Sequence, residues 1–123
     1  MNSALRVDVT DTRGQTTALA VAGELDLNTA DVLYDAVAEV LGGHRAAILD
    51  LSGVTFCDSS GLNTLLRLRR RTQETGGRLV LAAPPAQMLR LLTITGARTI
   101  FTIHGSLAEA WETPPPAATP PTA

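Results

Sequence analysis

Strand-like and helix-like stretches alternate along this chain, and few folds accommodate that order. Leu5, Val7 and Val9 alternate with Arg6, Asp8 and Thr10, which predicts a half-exposed strand. Thr12-Arg13-Gly14-Gln15 reads as a turn, and Thr17 to Ala22 resumes a strand with Leu19 and Val21 on one face. The two segments predict a hairpin. Leu33, Val37, Val40 and Leu41 then recur at helical spacing behind Asn28 and Thr29, either of which can cap that helix, and Gly42-Gly43 stops it. Ala46 to Leu51 is a nearly continuous apolar run that suits a strand covered on both faces; Ser52-Gly53 then allows a bend. A helix with Leu62, Leu65, Leu66 and Leu68 on its apolar stripe ends at Gly76-Gly77. A strand at Leu79 to Ala82, a helix opened by Pro84-Pro85, a strand at Ile100 to Ile103 and a short helix from Gly105-Ser106 through Trp111 complete the pattern.

Such an order predicts an α/β fold. Helical crossovers join parallel strands, and the opening hairpin adds an antiparallel edge, so the sheet is mixed but mostly parallel, with about five strands and about four helices. At 123 residues the chain is expected to form a single domain. From Thr113 onward it contains only Pro, Ala and Thr, a composition that cannot bury enough apolar surface to offset ordering. The domain is therefore expected at 1–112, compact from about residue 3, with a disordered Pro-rich tail at 113–123.

Composition removes several function classes. Cys57 is the only cysteine, so an internal disulfide is excluded and a reducing compartment is expected. No apolar run reaches the ~18 residues of a membrane span. The start, Met1-Asn2-Ser3-Ala4, lacks the basic-then-apolar order of a signal peptide, so a cytoplasmic location is expected. A net charge of −2 gives no global attraction to nucleic acid or anionic lipid. Tyr34, Phe56, Phe101 and Trp111 are too few and too scattered to stack successive bases.

The chemistry concentrates at Asp58-Ser59-Ser60-Gly61, where a buried strand turns into the second long helix. In mixed α/β sheets, sites gather at the carboxyl ends of parallel strands. A helix start carries unpaired N–H groups and the positive end of the helix dipole. A serine there can cap the helix, act as a nucleophile or accept a phosphate. Capping accounts for Asp58 or Ser59 alone, but not for three capping-type residues followed by Gly61, a small residue that leaves Ser60 approachable. A nucleophile needs a base; only His44 and His104 are available, neither is placed near Ser60 by its spacing, and Gly-x-Ser-x-Gly is absent. No phosphate-cradling glycine motif occurs. Asp26, Asp58, Glu24 and Asp50 lack a histidine at ligand spacing, so no metal or other cofactor is expected. Cys57 beside Asp58 reads as a small apolar filler, since the acid raises its pKa. Arg67, Arg69, Arg70 and Arg71 read as complements to the dipole at a helix end, with partner contact as the alternative.

Gly23-Glu24-Leu25-Asp26 with Thr29-Ala30, then Leu49-Asp50-Leu51-Ser52 and Phe56-Cys57-Asp58-Ser59-Ser60-Gly61-Leu62, resemble a STAS domain. The likeness continues through Leu91-Leu92-Thr93-Ile94-Thr95-Gly96 and Ser106-Leu107-Ala108-Glu109-Ala110. It is strongest to the anti-sigma factor antagonists of bacteria, with Cys57 standing where that family more usually carries an aliphatic residue. The resemblance implies a non-enzymatic regulator that binds an anti-sigma factor, a serine kinase of the histidine-kinase-like ATPase type, and so frees a sigma factor. It implies phosphorylation at Ser60, with Ser59 as the second choice, reversed by a serine phosphatase. It implies partner contacts at Asp26, Asn28, Thr29, Asp58, Ser59 and Gly61. The same resemblance also admits an accessory subunit of a lipid transport or signalling complex without phosphorylation, and the residues themselves leave a small enzyme with Ser60 as nucleophile. The lack of a membrane segment argues against STAS forms attached to transporters.

Overall fold

The opening alternation folds into a long hairpin. β1 (Leu5–Arg13) and β2 (Thr16–Leu25) pair antiparallel from Leu5–Gly23 to Arg13–Thr16. Gly14 turns the chain at φ 61°, a left-handed conformation that glycine adopts without steric cost. In the computed structural model, which describes residues 5–112, three parallel strands follow: β3 (Ala46–Cys57), β4 (Arg78–Ala82) and β5 (Thr102–His104). The sheet order is β1-β2-β3-β4-β5, with only β1 antiparallel, as the alternation predicts. The helices are α1 (Ala30–Leu41), α2 (Ser59–Thr75), α3 (Ala86–Ile94) and α4 (Leu107–Glu112). The expected 113–123 tail lies outside the described residues, as do residues 1–4.

The two faces of the sheet are covered unequally. Leu19, Val21 and Leu25 of β2, Leu49 and Leu51 of β3, and Leu79 and Leu81 of β4 form the main core with Leu33 and Val37 of α1, Leu62, Leu65 and Leu68 of α2, and Met88 and Leu92 of α3. Each fully buried leucine contributes about 1.5–3 kcal/mol relative to exposure, so this layer dominates stability. The opposite face is smaller: Ala18, Ile48, Val80 and Ala82 pack against Ala110, with Leu107 and Trp111 of α4 half-buried beside them.

Three expectations are corrected. The strand from Ala46 does not bend away at Ser52-Gly53; it runs on to Cys57. One extra residue is absorbed as a shift in register against β2 between Ala20 and Ala22 and a second between Gly23 and Glu24, while Asp50 Oδ1 accepts from Ser52 N–H and Ser52 Oγ. Gly53 permits this close approach, because a Cβ there would lie 3.0 Å from both Ala22 Cβ and Val21 O. The last strand starts at Thr102 rather than Ile100, since a 3-10 turn over Ala97–Thr99 carries on into an Ile100 N–H bond to Ala97 O and sends Phe101 into the core. The arginines of α2 do not sit at its end: the helix continues to Thr75, with no basic residue in its last turn, before Gly76 (φ 78°) closes it. Arg67 instead lies over the Tyr34 ring at 4.4 Å, and Arg69 Nε donates to Ile100 O.

One consequence of the strand lengths positions the site. β4 ends at Ala82, level with Asp50. Beyond that point β2 and β3 continue as a pair to Leu25 and Cys57. This two-stranded extension delivers the β2–α1 loop and the start of α2 side by side.

Candidate functional site

Asp58 makes the mouth of α2. Its backbone leaves the strand in extended conformation, and its Oδ1 accepts from Ser60 N–H at 2.8 Å and Gly61 N–H at 3.2 Å. The cap is therefore Asp58, which leaves both serines free of that duty. Ser59 is exposed and Ser60 half-buried. Neither hydroxyl has a hydrogen-bond partner among the described residues. An unengaged hydroxyl in the first turn of a helix, where unpaired N–H groups favour an anion, is the chemically available group of this surface.

Gly61 is small for a reason other than access. A Cβ at Gly61 would meet Leu25 Cγ at 2.6 Å, Cys57 Sγ at 2.9 Å and Leu25 O at 2.9 Å. The absence of a side chain lets α2 begin directly against the ends of β2 and β3, where Asp58 N–H also donates to Leu25 O at 3.1 Å.

The neighbouring loop is organised by Thr29. Its Oγ1 donates to Glu24 O at 2.7 Å and accepts from Asp26 N–H at 2.9 Å. Asp26 Oδ1 accepts from Asn28 N–H at 2.9 Å, and Asp26 O accepts from Thr29 and Ala30 N–H. Thr29 occupies the N-cap position of α1 but makes no side-chain cap, and Asn28 does not cap either; the hydroxyl is spent on closing the loop. Thr29 is 6% exposed, so it holds the loop's shape from inside, while Asn28 is open to solvent and Asp26 half-buried.

Residues that periodicity did not single out complete the site. Beyond Asp50, β3 has lost β4 as a neighbour, and Gln87 of α3 replaces it: Oε1 accepts from Cys57 N–H at 2.9 Å and Nε2 donates to Cys57 O at 2.8 Å. A strand partner's two bonds are thus made by one amide side chain. Leu27, Val32 and Phe56 are exposed apolar side chains at this end of the sheet. Isolated exposed apolar residues are ordinary in sequence, so only their placement at the end of the sheet that carries the serine marks them.

Cys57 is inert by environment. Burial first, and the Asp58 charge second, push its thiol up to about 12, against a small opposing effect of the Leu62 backbone. The unfolded chain loses that proton near its ordinary value of 9.0, whereas the folded chain keeps it. Folding therefore loses stability as pH rises from about 9 toward about 12, at up to about 1.4 kcal/mol per pH unit, and is unaffected by this group below that window. Urea titrations of wild type and Cys57→Ala at pH 8 and pH 10.5 should show a smaller alkaline loss in the variant. Equal losses would place the thiol in a solvated setting.

Neither histidine is brought to Ser60. His44 follows α1 at the end of the sheet where β3 begins, with its ring nitrogen Nδ1 3.2 Å from Val40 O. His104 pairs with Ala82, which pairs with Asp50; Cys57 lies seven residues further along β3, roughly 20 Å at strand spacing.

Fold and site together define a class: a small mixed α/β module whose candidate site is a serine-bearing helix mouth, with no histidine beside it among the described residues. A family model described as "Mlab, STAS domain" matches residues 9–103, and the chain belongs to the STAS domain family. It is 29% identical over 83 residues to the anti-sigma-B factor antagonist of Bacillus subtilis, covering 68% of this chain and 76% of that one. It is 47% identical over 49 residues to mouse solute carrier family 26 member 10, which is 40% of this chain but only 7% of the carrier. A crystal structure of an anti-sigma factor antagonist from Mycobacterium paratuberculosis superposes with a TM-score of 0.75 at 28% identity, covering 89% and 92% of the two chains. The Bacillus cell fate determinant SpoIIAA, solved in its phosphorylated form, shares the fold with a TM-score of 0.69 at 20% identity over 87% and 97%.

Proposed function

We propose that this STAS domain is an anti-sigma factor antagonist: unmodified, it binds an anti-sigma factor that is a serine kinase of the ATPase type, and so releases a sigma factor. Phosphorylation of Ser60 ends the complex and a serine phosphatase restores it. The observation that carries the reading is the unengaged Ser60 hydroxyl in the first turn of α2, beside the Asp26–Thr29 loop. A binding module needs no base of its own, because the kinase supplies ATP, metal and catalytic groups. The phosphate would stand where the helix dipole accepts it, so the fold survives. It would add about −1.5 to −2 charge beside Asp58 and Asp26, so the docking surface changes. Asp26, Asn28, Asp58 and Ser59 would meet the partner directly, and Thr29 and Gly61 would act by fixing the backbone. The bacterial relatives, themselves anti-sigma factor antagonists, support this reading, under which the protein acts in the cytoplasm.

The match to a solute carrier motivates a second reading, a STAS unit of a transport complex. Affinity capture from the native cell separates the two: a kinase-type ATPase supports the first, a transporter supports the second. With the captured kinase and ATP, phosphate mapped by mass spectrometry is expected on Ser60. A phosphate outside 58–61 overturns the site.

A further inference from the structure

The sparsely covered face of the sheet holds a second feature, far from Ser60. Beside α4 lies a cavity of about 230 Å³, lined at the starts of the parallel strands by Thr16, Ala46, Ile48, Arg78 and Val80 and closed by Trp111. Ala46, Ile48 and Val80 form an apolar floor. Arg13, Arg78 and His104 contribute the polar groups. This is the composition of a small-molecule site: an apolar body with a few convergent polar groups.

The two arginines differ. Arg13 is exposed, pairs with Asp11 at 2.9 Å and lies over the Trp111 ring at 4.1 Å, so much of its charge is already answered and it holds the indole in place. Arg78 is half-buried, and its guanidinium makes no ion pair or hydrogen bond among the described residues. Burial lowers its affinity for the proton. A half-buried cation without a counter-ion, at the edge of an apolar pocket, gains from an incoming anion what water supplies poorly there.

We propose that this cavity binds a small organic anion, a carboxylate on a flat apolar body, with the carboxylate on Arg78 and the body between the sheet floor and Trp111. The volume admits a single aromatic ring with its acid group and is below the usual range of about 300–1,000 Å³ for drug-sized ligands. Arg78 is suited to a carboxylate because its planar fork offers two parallel N–H groups. His104 offers a further ring N–H at the rim. The site is independent of the Ser60 reading: it lies on the other face and at the other end of the strands.

Sodium benzoate, titrated at constant ionic strength into the full chain and followed by amide NMR, tests it. Saturable shifts are expected at Ala46, Arg78 and Val80, with Trp111 emission changing in parallel. Benzamide, the neutral counterpart, should bind at least tenfold more weakly, and so should inorganic phosphate, which lacks the apolar body. Arg78→Met should weaken benzoate at least tenfold, and Arg78→Lys, which keeps the charge but loses the fork, should recover only part of that loss. Should Arg78→Met fail to fold, Arg13→Gln, at an exposed position, should weaken benzoate several-fold by releasing Trp111. Shifts that never saturate, equal binding of benzamide or phosphate, or an unchanged affinity in these variants would each overturn the proposal.

Discussion

Replacing Ser60 by Asp is expected to leave the domain as stable as wild type while weakening the proposed complex with an anti-sigma factor kinase by about 100-fold or more. The two effects separate because they act on different interactions. In the fold, a carboxylate in the first turn of α2 meets the positive end of the helix and gains about 0.3–1 kcal/mol. The Asp58 carboxylate, whose Oδ1 already lies 2.8 Å from Ser60 N, repels it by a similar amount. In the complex there is no such offset. A charge desolvated against a surface shaped for a neutral hydroxyl costs about 2–5 kcal/mol, and 2.7 kcal/mol is a factor of 100. Ser60→Ala supplies the control. The hydroxyl has no hydrogen-bond partner among the described residues, so its loss should change affinity by no more than a few-fold. Thermal unfolding and calorimetric titration of the three proteins read both halves. Equal kinase affinity for wild type and Ser60→Asp would remove the switch from Ser60, and the same substitution at the exposed Ser59 would then decide whether it sits one residue earlier.

The fold was legible because its signals are local and repetitive. Alternation in β1 and β2, helical spacing in α1 and α2, and glycine stops required no knowledge of contacts. What escaped was set by partners distant in sequence. Ser52-Gly53 looks like a bend, yet β2 pairs across it and turns the irregularity into a register shift inside one strand. The arginines of α2 look like a dipole complement until Tyr34 and Ile100 are brought beside them. At the site, Asp58, Ser59 and Ser60 stood out because capping residues cluster at a strand-to-helix junction. Gln87 did not: a glutamine early in an amphipathic helix is unremarkable, and its two bonds to Cys57 exist only because β4 stops at Ala82. Gly61 reads in the sequence only as a small residue that leaves Ser60 approachable. Its smallness serves the packing of Leu25 and Cys57 at least as much as the approach to Ser60.

That packing makes Gly61→Val strongly destabilising, with an expected loss of about 3 kcal/mol in urea unfolding. Two tendencies compete. Replacing a glycine within a helix gains up to about 1 kcal/mol for Ala and less for a β-branched residue. Against this, the new Cβ would stand 2.6 Å from Leu25 Cγ and 2.9 Å from Leu25 O. Leu25 is fully buried and has no open space to swing into. Its carbonyl is fixed by the bond from Asp58 N–H, so relief requires the start of α2 to move away from the strands. Overpacking of this kind costs about 1–3 kcal/mol for one added carbon, and valine adds two more. Gly61→Ala should therefore lose about 1–2 kcal/mol, with Gly61→Val beyond it. Gly43→Ala, where a Cβ meets nothing within 4 Å, should change stability by less than about 0.5 kcal/mol. A Gly61→Val protein as stable as wild type would show that α2 does not dock as tightly as described. The cause can be isolated by a double-mutant cycle: Leu25→Ala alone costs about 2–5 kcal/mol, but it removes the atom nearest the new Cβ, so Gly61→Ala and Leu25→Ala together should cost at least about 1 kcal/mol less than their sum. Because the same displacement would pull Ser60 N–H and Gly61 N–H away from Asp58, Gly61→Val should also weaken kinase binding although the serine itself is intact.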